Sequence, residues 1–295
     1  ILSEKNELSS KELLSRVGLV IHGTTVAVNT LLQPRSHKTG LICTNGFRDS
    51  LEIRLGYRDK RYDFTWTPPP PLVPRYLRIP VRERVNKDGH IQIPLHEEDV
   101  VNASAILAKH DVKAIAVCFL WSFLNPSNER RVRQIIEESV PGARISLSSD
   151  VCPEIREYDR VSTTVVNAYI SQSLGSHLDA VEGFFRDANY DGEIRYLQSS
   201  GGMGSSESVK AQAISALNSG PAAGPVTGGF FANLFGHQNT LTIDIGGTSF
   251  DTCVLPMGHV ELRNVSEFGG YRVRHPSVDV QSIGAGGGSI AWVDR

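Results

Sequence analysis

The chain has 295 residues, enough for two domains or for one large domain with a sizeable core. Hydrophobic residues make up 40% and charged residues 21%, as in ordinary globular proteins, and a formal net charge of -2 leaves no electrostatic footprint for nucleic acid. The longest apolar run, residues 114–121, is far too short to span a bilayer, and no charged segment followed by an apolar stretch opens the chain, so a cytoplasmic location is expected.

In chain order, Ser9-Ser-Lys-Glu12 matches a capping box and predicts a short helix. Residues 18–22 read as a buried strand that runs into Gly23-Thr24-Thr25 and an apolar-periodic segment, 26–32. Strand, Gly-Thr-Thr and helix is an order in which helix N-terminal N–H groups receive an anion. The plainer alternative makes Thr24 or Thr25 only an N-cap and His22 a satisfied core residue. A second strand is expected at 39–44 and a short helix at 46–53. From Arg54 to Pro80, arginines and lysines alternate with Tyr57, Tyr62, Trp66 and Tyr76 around Pro68-Pro-Pro-Pro71. Proline forbids regular structure there, which leaves a loop facing a substrate or a subunit, or simply an ordered surface loop.

Residues 81–85 and 90–93 flank Asn86-Lys-Asp-Gly89, whose Asp-Gly is a hairpin signal. Helices at 97–110 and 126–139 alternate with strands at 114–120 and 143–149, the pattern of a mostly parallel sheet covered by helices. The longest helical region spans 154–188, with apolar positions stepping by three and four. Glu154, Arg156, Glu157, Asp159 and Arg160 near its start read as a solvated face. A strand at 193–198 ends in Ser199-Ser-Gly201-Gly202, placed where α/β sheets bind ligands. Ser219-Gly-Pro-Ala-Ala-Gly224 opens a helix running to about residue 235, and strands are expected at 261–263, 271–274, 278–282 and 289–294. Cys43, Cys118, Cys152 and Cys253 form no C-x-x-C pair, and buried reduced thiols are their expected state.

Chemistry concentrates at residues 241–255. Two apolar runs, read as buried strands, flank the turn Gly246-Gly247-Thr248-Ser249, with Asp244 before it and Asp251 after it. Glycines let a polyanion approach backbone N–H groups, and two carboxylates beside the turn suit a hydrated Mg²⁺. A plain tight turn is the alternative. Four polar, glycine-rich turns each follow a strand: 22–25, 199–202, 244–249 and Gly284-Ala-Gly286-Gly287-Gly288-Ser289. Their convergence would make a nucleotide site. No Walker P-loop, dinucleotide fingerprint or G-x-S-x-G elbow occurs.

With these motifs the chain resembles the A subunit of the hydantoinase/oxoprolinase family, which includes ATP-dependent N-methylhydantoinases, 5-oxoprolinases and subunits of acetone and acetophenone carboxylases. The matching residues are His22-Gly-Thr-Thr-Val-Ala-Val-Asn29, Gly46-Phe-Arg-Asp49, Pro71-Leu-Val-Pro-Arg75, Pro153-Glu-Ile-Arg-Glu-Tyr158, Asn167-Ala-Tyr169, Ser219-Gly-Pro-Ala-Ala-Gly224, Asp244 to Ser249 with Asp251, and Gly284 to Ala291. The resemblance implies an α/β actin-like ATPase fold, with ribonuclease-H-like lobes as in sugar kinases and heat-shock ATPases. It implies an N-terminal region over residues 1–160, the first lobe without its first phosphate hairpin, and over 161–295 the start of the hydantoinase A core, with the second phosphate hairpin and the glycine-rich loop. By the same analogy Asp244 to Asp251 form a phosphate hairpin and Gly284 to Ser289 an adenosine-side loop.

The implied cofactors are ATP and Mg²⁺. Asp244 is the metal ligand, Asp244 and Asp251 are the catalytic carboxylates, and Thr248 and Ser249 are the leading phosphate donors. Gly246, Gly247, the glycines of 284–288, Ser289, Gly201, Gly202, Thr24 and Thr25 complete the cofactor set. The implied activity is phosphorylation of a cyclic amide, of hydantoin or 5-oxoproline type, for ring opening with a hydantoinase B-type partner subunit in a hetero-oligomer. An ATP-dependent ketone carboxylase subunit and a non-catalytic nucleotide-binding scaffold are the alternatives. Family members begin with another Asp-x-Gly-Gly-Thr hairpin that is not in this sequence, so the chain is read as a fold incomplete at both ends. By itself it is expected to bind nucleotide weakly and turn nothing over.

Overall fold

The structure is a computed structural model that describes residues 8–33, 38–56, 62–247, 249–290 and 292–293. The capping box holds: Ser9 Oγ accepts from the Glu12 N–H at 3.2 Å, and the Glu12 carboxylate accepts from the Ser9 N–H at 2.9 Å, opening α1 (Ser10–Leu14). After β1 (Leu19–His22) and α2 (Val26–Leu32) come β2 (Thr39–Thr44), buried throughout, and α3 (Ser50–Ile53). β3 (Arg78–Val81) lies inside the stretch expected to be irregular. β4 (Arg84–Val85) and β5 (Ile91–Ile93) form the expected hairpin, with Asn86 Oδ1 accepting from the Asp88 and His90 N–H groups. α4 (Glu97–Lys109), β6 (Ala114–Cys118), α5 (Ser127–Ser139) and β7 (Arg144–Leu147) then alternate as predicted. The resulting sheet is parallel throughout, in the order β3-β2-β6-β7.

Beyond α6 (Ser148–Val151), the 31-residue α7 (Glu157–Asp187) spans about 46 Å at 1.5 Å per residue. Its Val161, Val165 and Ala168 belong to the core under the parallel sheet. Its Val166, Tyr169, Ile170, Leu174 and Leu178 belong to a second core with Leu31 of α2. β8 (Glu193–Leu197) pairs in parallel with β1 and antiparallel with β9 (Met203–Gly204). Residue 160 lies inside α7, so a helix and a strand pair join the two halves of the chain. α8 (Ser206–Ala211) leads to α9 (Ser219–Phe235), which starts and ends where the sequence places it, with Pro225 inside it.

The rest of the chain is strands. β10 (Asn239–Ile245), β11 (Phe250–Pro256), β12 (Leu262–Arg263), β13 (Ser266–Phe268), β14 (Tyr271–Val273), β15 (Ser277–Val278) and β16 (Gln281–Ile283) form one three-stranded sheet, β10-β11-β16, and two short ladders. α9 covers one face of that sheet, so close that a Cβ on Gly228 would lie 2.2 Å from Thr242 Cγ2. No described residue covers the other face, and Leu241, Ile243, Ile245, Val254 and Ile283 are exposed on this sheet. The expectation of two buried strands at 241–255 is therefore corrected. Side chains alternate between faces, and only one face has a covering layer. The strand expected at 289–294 is also absent among its described residues.

The start of α7 corrects the sequence more sharply. Asp159 and Arg160 are buried rather than solvated. Asp159 accepts from Arg272 Nε at 2.6 Å and pairs with Arg274 Nη1 at 3.2 Å, and Glu154 pairs with Arg274 as well. Arg160 donates to the Phe119 carbonyl, to Ser122 Oγ and to Ser148 Oγ. The proline stretch packs on the same hairpin: Tyr271 Oη donates to the Pro70 carbonyl and Arg54 Nη2 to that of Gly270. Tyr57, Arg58, Lys60 and Arg61 lie outside the described residues. All four cysteines are free and buried, as expected, and burial pushes the Cys43 and Cys152 thiols up to about 12. No helix among the described residues is long and apolar enough to cross a membrane.

Two measurements test this framework. Asp159→Ala leaves two arginines facing an apolar gap and lowers the unfolding free energy by about 2–3 kcal/mol in urea titration, more than Glu154→Ala does. The second concerns the contact between β1 and α7, where the Nε2 atoms of His22 and His177 stand 3.0 Å apart, one imidazole donating to the other. Burial, and then the neighbouring His177, hold the His22 pKa below the usual 6.5, and burial does the same to His275. Folded, these groups bind fewer protons than unfolded, so stability is complete above pH 6.5 and falls as pH drops through that value. Urea midpoints at pH 7.5 and 5.5 should differ less for His177→Leu than for the parent, with His275 preserving part of the dependence.

Candidate functional site

β10 and β11 place Asp244 and Asp251 directly opposite each other in the ladder, so both side chains leave the same face. That face looks toward α9. There, Pro221, Gly224, Gly228 and Phe231 of the helix and Thr242, Asp244, Asp251 and Thr252 of the strands line a cavity of about 250 Å³. Its lining carries two carboxylates and no lysine, arginine or histidine. The turn between the strands is closed by the Gly246 N–H, which donates to the Ser249 carbonyl at 2.9 Å. Thr248 lies outside the described residues.

The two carboxylates have different surroundings. Asp251 accepts from Ser249 Oγ at 3.3 Å on Oδ2 and from Ser282 Oγ on Oδ1. Asp244 is exposed, and no side chain among the described residues bonds its carboxylate. Ser249, expected to donate to phosphate, is turned toward Asp251. Ser282 was missed by the sequence reading, because its role depends on β16 pairing with β11 in the register Asp251↔Ser282, thirty-one residues apart. Among the described residues no group of three or more His, Cys, Asp or Glu side chains could hold a metal. A hydrated Mg²⁺ needs only one or two carboxylates, and the Asp244 and Asp251 pair meets that need.

The glycine-rich loop lies on the hairpin turn. The Gly287 N–H donates to the Gly246 carbonyl at 2.9 Å, and the Gly286 N–H to Ser289 Oγ at 3.0 Å. A Cβ on Gly286 would sit 2.5 Å from the Gly247 carbonyl carbon, so the close approach requires glycine there. Gly284 and Gly288 meet no such neighbour. The Gly286 and Gly287 amides are thereby used within the protein. Those of Gly247 and Gly288 have no partner among the described residues.

The other two turns gather at the first turn of α9. Ser219 Oγ donates to the Thr24 carbonyl at 3.0 Å, and Ser199 Oγ accepts from the Asn218 N–H at 2.9 Å. Thr24 Oγ1 accepts from the Val26 N–H, and Thr25 Oγ1 from Asn29 Nδ2, so both hydroxyls serve the start of α2. Gly201 packs against Val226 of α9, while Gly202 is exposed. The structure thus joins 244–249 to 284–289 and 22–25 to 199–202, with α9 touching both groups.

The family model described as hydantoinase/oxoprolinase N-terminal region matches residues 1–140, and the one described as hydantoinase/oxoprolinase matches residues 160–295. The chain is 41% identical over 285 residues to the caprolactamase subunit alpha of Pseudomonas jessenii, covering 96% of this chain and 41% of that protein. It is 36% identical over 308 residues to the acetophenone carboxylase gamma subunit of Aromatoleum aromaticum, covering 99% of this chain and 42% of that protein. The crystal structure of the ATP-dependent caprolactamase from Pseudomonas jessenii superposes with a TM-score of 0.90 at 39% identity, over 99% of this chain and 43% of that one. The chain spans about two-fifths of the length of these two curated relatives. The fold is α/β of the actin-like ATPase type, in keeping with this likeness. On the two family matches and the motifs laid out along its whole length, the chain belongs to the hydantoinase/oxoprolinase family.

Proposed function

We propose that this chain supplies ATP-binding parts of an enzyme that activates a cyclic amide by phosphorylating its oxygen. Ring opening would then proceed with a hydantoinase B-type partner in a cytoplasmic hetero-oligomer. The observation that carries this reading is the hairpin that sets Asp244 and Asp251 side by side at a cavity, with a glycine loop stacked on its turn. Relatives named as ATP-dependent, and as subunits, support it. An amide is a poor electrophile until its oxygen becomes part of a phosphate leaving group, and phosphoryl transfer rests mainly on positioning and charge neutralisation.

The charges of the cavity make its ligand specific. Two carboxylates without a cationic partner in the lining repel a bare polyphosphate, so the anion must arrive with a divalent cation. Mg²⁺, when bound, supplies that neutralisation at the phosphate oxygens. Asp244 would hold it through water, Asp251 would brace the hairpin, and the Gly247 and Gly288 amides would donate to phosphate oxygens. An ATP-dependent ketone carboxylase subunit is the second reading, favoured by the acetophenone carboxylase relative.

Calorimetric titration of the full-length protein with its partner subunit is expected to give ATP binding with Mg²⁺ and none after chelation, weakened at least tenfold by Asp244→Asn. Equal binding in EDTA would remove the charge argument. To identify the substrate, the full-length protein with its partner subunit is assayed for phosphate release with hydantoin, 5-oxoproline, a lactam, acetone and acetophenone, bicarbonate being present with the ketones. Stimulation by a cyclic amide alone is the expected result. Stimulation only by a ketone would transfer the chain to the carboxylases, and activity unchanged by Asp244→Ala would favour a scaffold.

A further inference from the structure

We infer that Ser282 is a positioning residue for the cation-bearing ligand, coupling the glycine-rich loop to the carboxylate of Asp251. The inference rests on the reading of this site as one for a divalent cation with a polyphosphate. Its basis is a chain of contacts through one short strand. β16 pairs with β11 at three positions, Phe250↔Ile283, Asp251↔Ser282 and Thr252↔Gln281, and the loop 284–289 begins immediately after it. Ser282 therefore stands one residue from Ile283, where the strand ends, and its hydroxyl donates to Asp251 Oδ1. Ser249, on the other side, donates to Oδ2 at 3.3 Å. Farther along, the Gly287 N–H returns to the Gly246 carbonyl. Turn, loop and carboxylate thus form a closed circuit, in which Ser282 is the one side chain contributed by the strand that carries the loop.

The physical consequence is a division of labour between the aspartates. With a hydroxyl on each oxygen, Asp251 is fixed in direction while keeping lone pairs for water. Asp244, with no such partner among the described residues, is left to meet the cation. The two stand opposite each other in the ladder, so an unrestrained Asp251 would turn its charge toward Asp244 or away from the cavity. Either movement alters the site that a hydrated cation meets. Loss of Ser282 should therefore act on the cation dependence of binding and not on the nucleotide in general.

The test measures ATP binding by calorimetry across a Mg²⁺ series for the full-length protein with its partner subunit, as the parent and as Ser282→Ala, Ser282→Cys and Ser282→Thr. Expected is a roughly three- to tenfold increase in the Mg²⁺ concentration giving half-maximal binding for Ser282→Ala, the size of one ordinary hydrogen bond lost. Ser282→Cys, close in shape but a weak donor, should shift the same way and guards against a misfolded alanine variant. Ser282→Thr, which keeps the hydroxyl, should restore the parent value. If the parent binds ATP with Mg²⁺ and the alanine and cysteine variants show its Mg²⁺ midpoint, the inference about Ser282 is wrong and the site reading stands. A uniform loss of affinity at every Mg²⁺ concentration would make Ser282 merely structural and equally overturn it. Failure of the parent to bind ATP with Mg²⁺ at all would overturn the site reading and this inference with it.

Discussion

Two adjacent buried charges organise the molecule. Asp159 and Arg160 sit in the first turn of α7, about 100° apart around the helix, and neither can be left unpaired in an apolar surrounding. Asp159 finds Arg272 and Arg274, two residues apart in and just after β14, and Arg160 finds the Phe119 carbonyl, Ser122 and Ser148 at the ends of the parallel sheet. Each partner set satisfies one charge and fixes one direction. The helix that supplies both charges also lies in both major cores, so its rotation about its own axis is set by polar and apolar contacts together.

The candidate site inherits that order at one remove. The hairpin pinned by Asp159 leads through β15 and β16 into the glycine loop, and the loop rests on the turn between Asp244 and Asp251. α9 closes the other side of the cavity with residues poor in side chain, among them Gly224 and Gly228. Close packing there comes from the absence of bulk. The buried apolar cluster beneath is small, Ala222, Cys253 and Val278 with Val260 and Val280 against it. The geometry of the aspartates thus owes more to strand pairing and to hydroxyl bonds than to a large core.

How much of this could be read beforehand follows from how local each cause is. The α–β alternation between residues 97 and 149, the Asn86–Gly89 hairpin and the extent of α9 are written in nearby periodicity and turn chemistry, and they stand. β3 escaped because Pro80 argues against a strand, yet β3 is the edge of its sheet, where a missing N–H is tolerated. Asp159 was misjudged because its partners lie more than a hundred residues away. For the site, the motif residues of 244–251 and 284–289 were legible and do meet. Thr24 and Thr25 proved to be engaged at the start of α2, and Ser282 was invisible because a register between distant strands has no local signature.

Among the described residues β10 is the edge strand of its sheet, and its sequence, Asn-Thr-Leu-Thr-Ile-Asp-Ile, has three apolar side chains on the face that none of them covers. The carboxylate proposed to meet the cation, that of Asp244, is also the one charged side chain in this strand, and it stands on the face toward α9, opposite the three apolar side chains. The pleat of a single strand thus separates an apolar face from the carboxylate that faces the cavity.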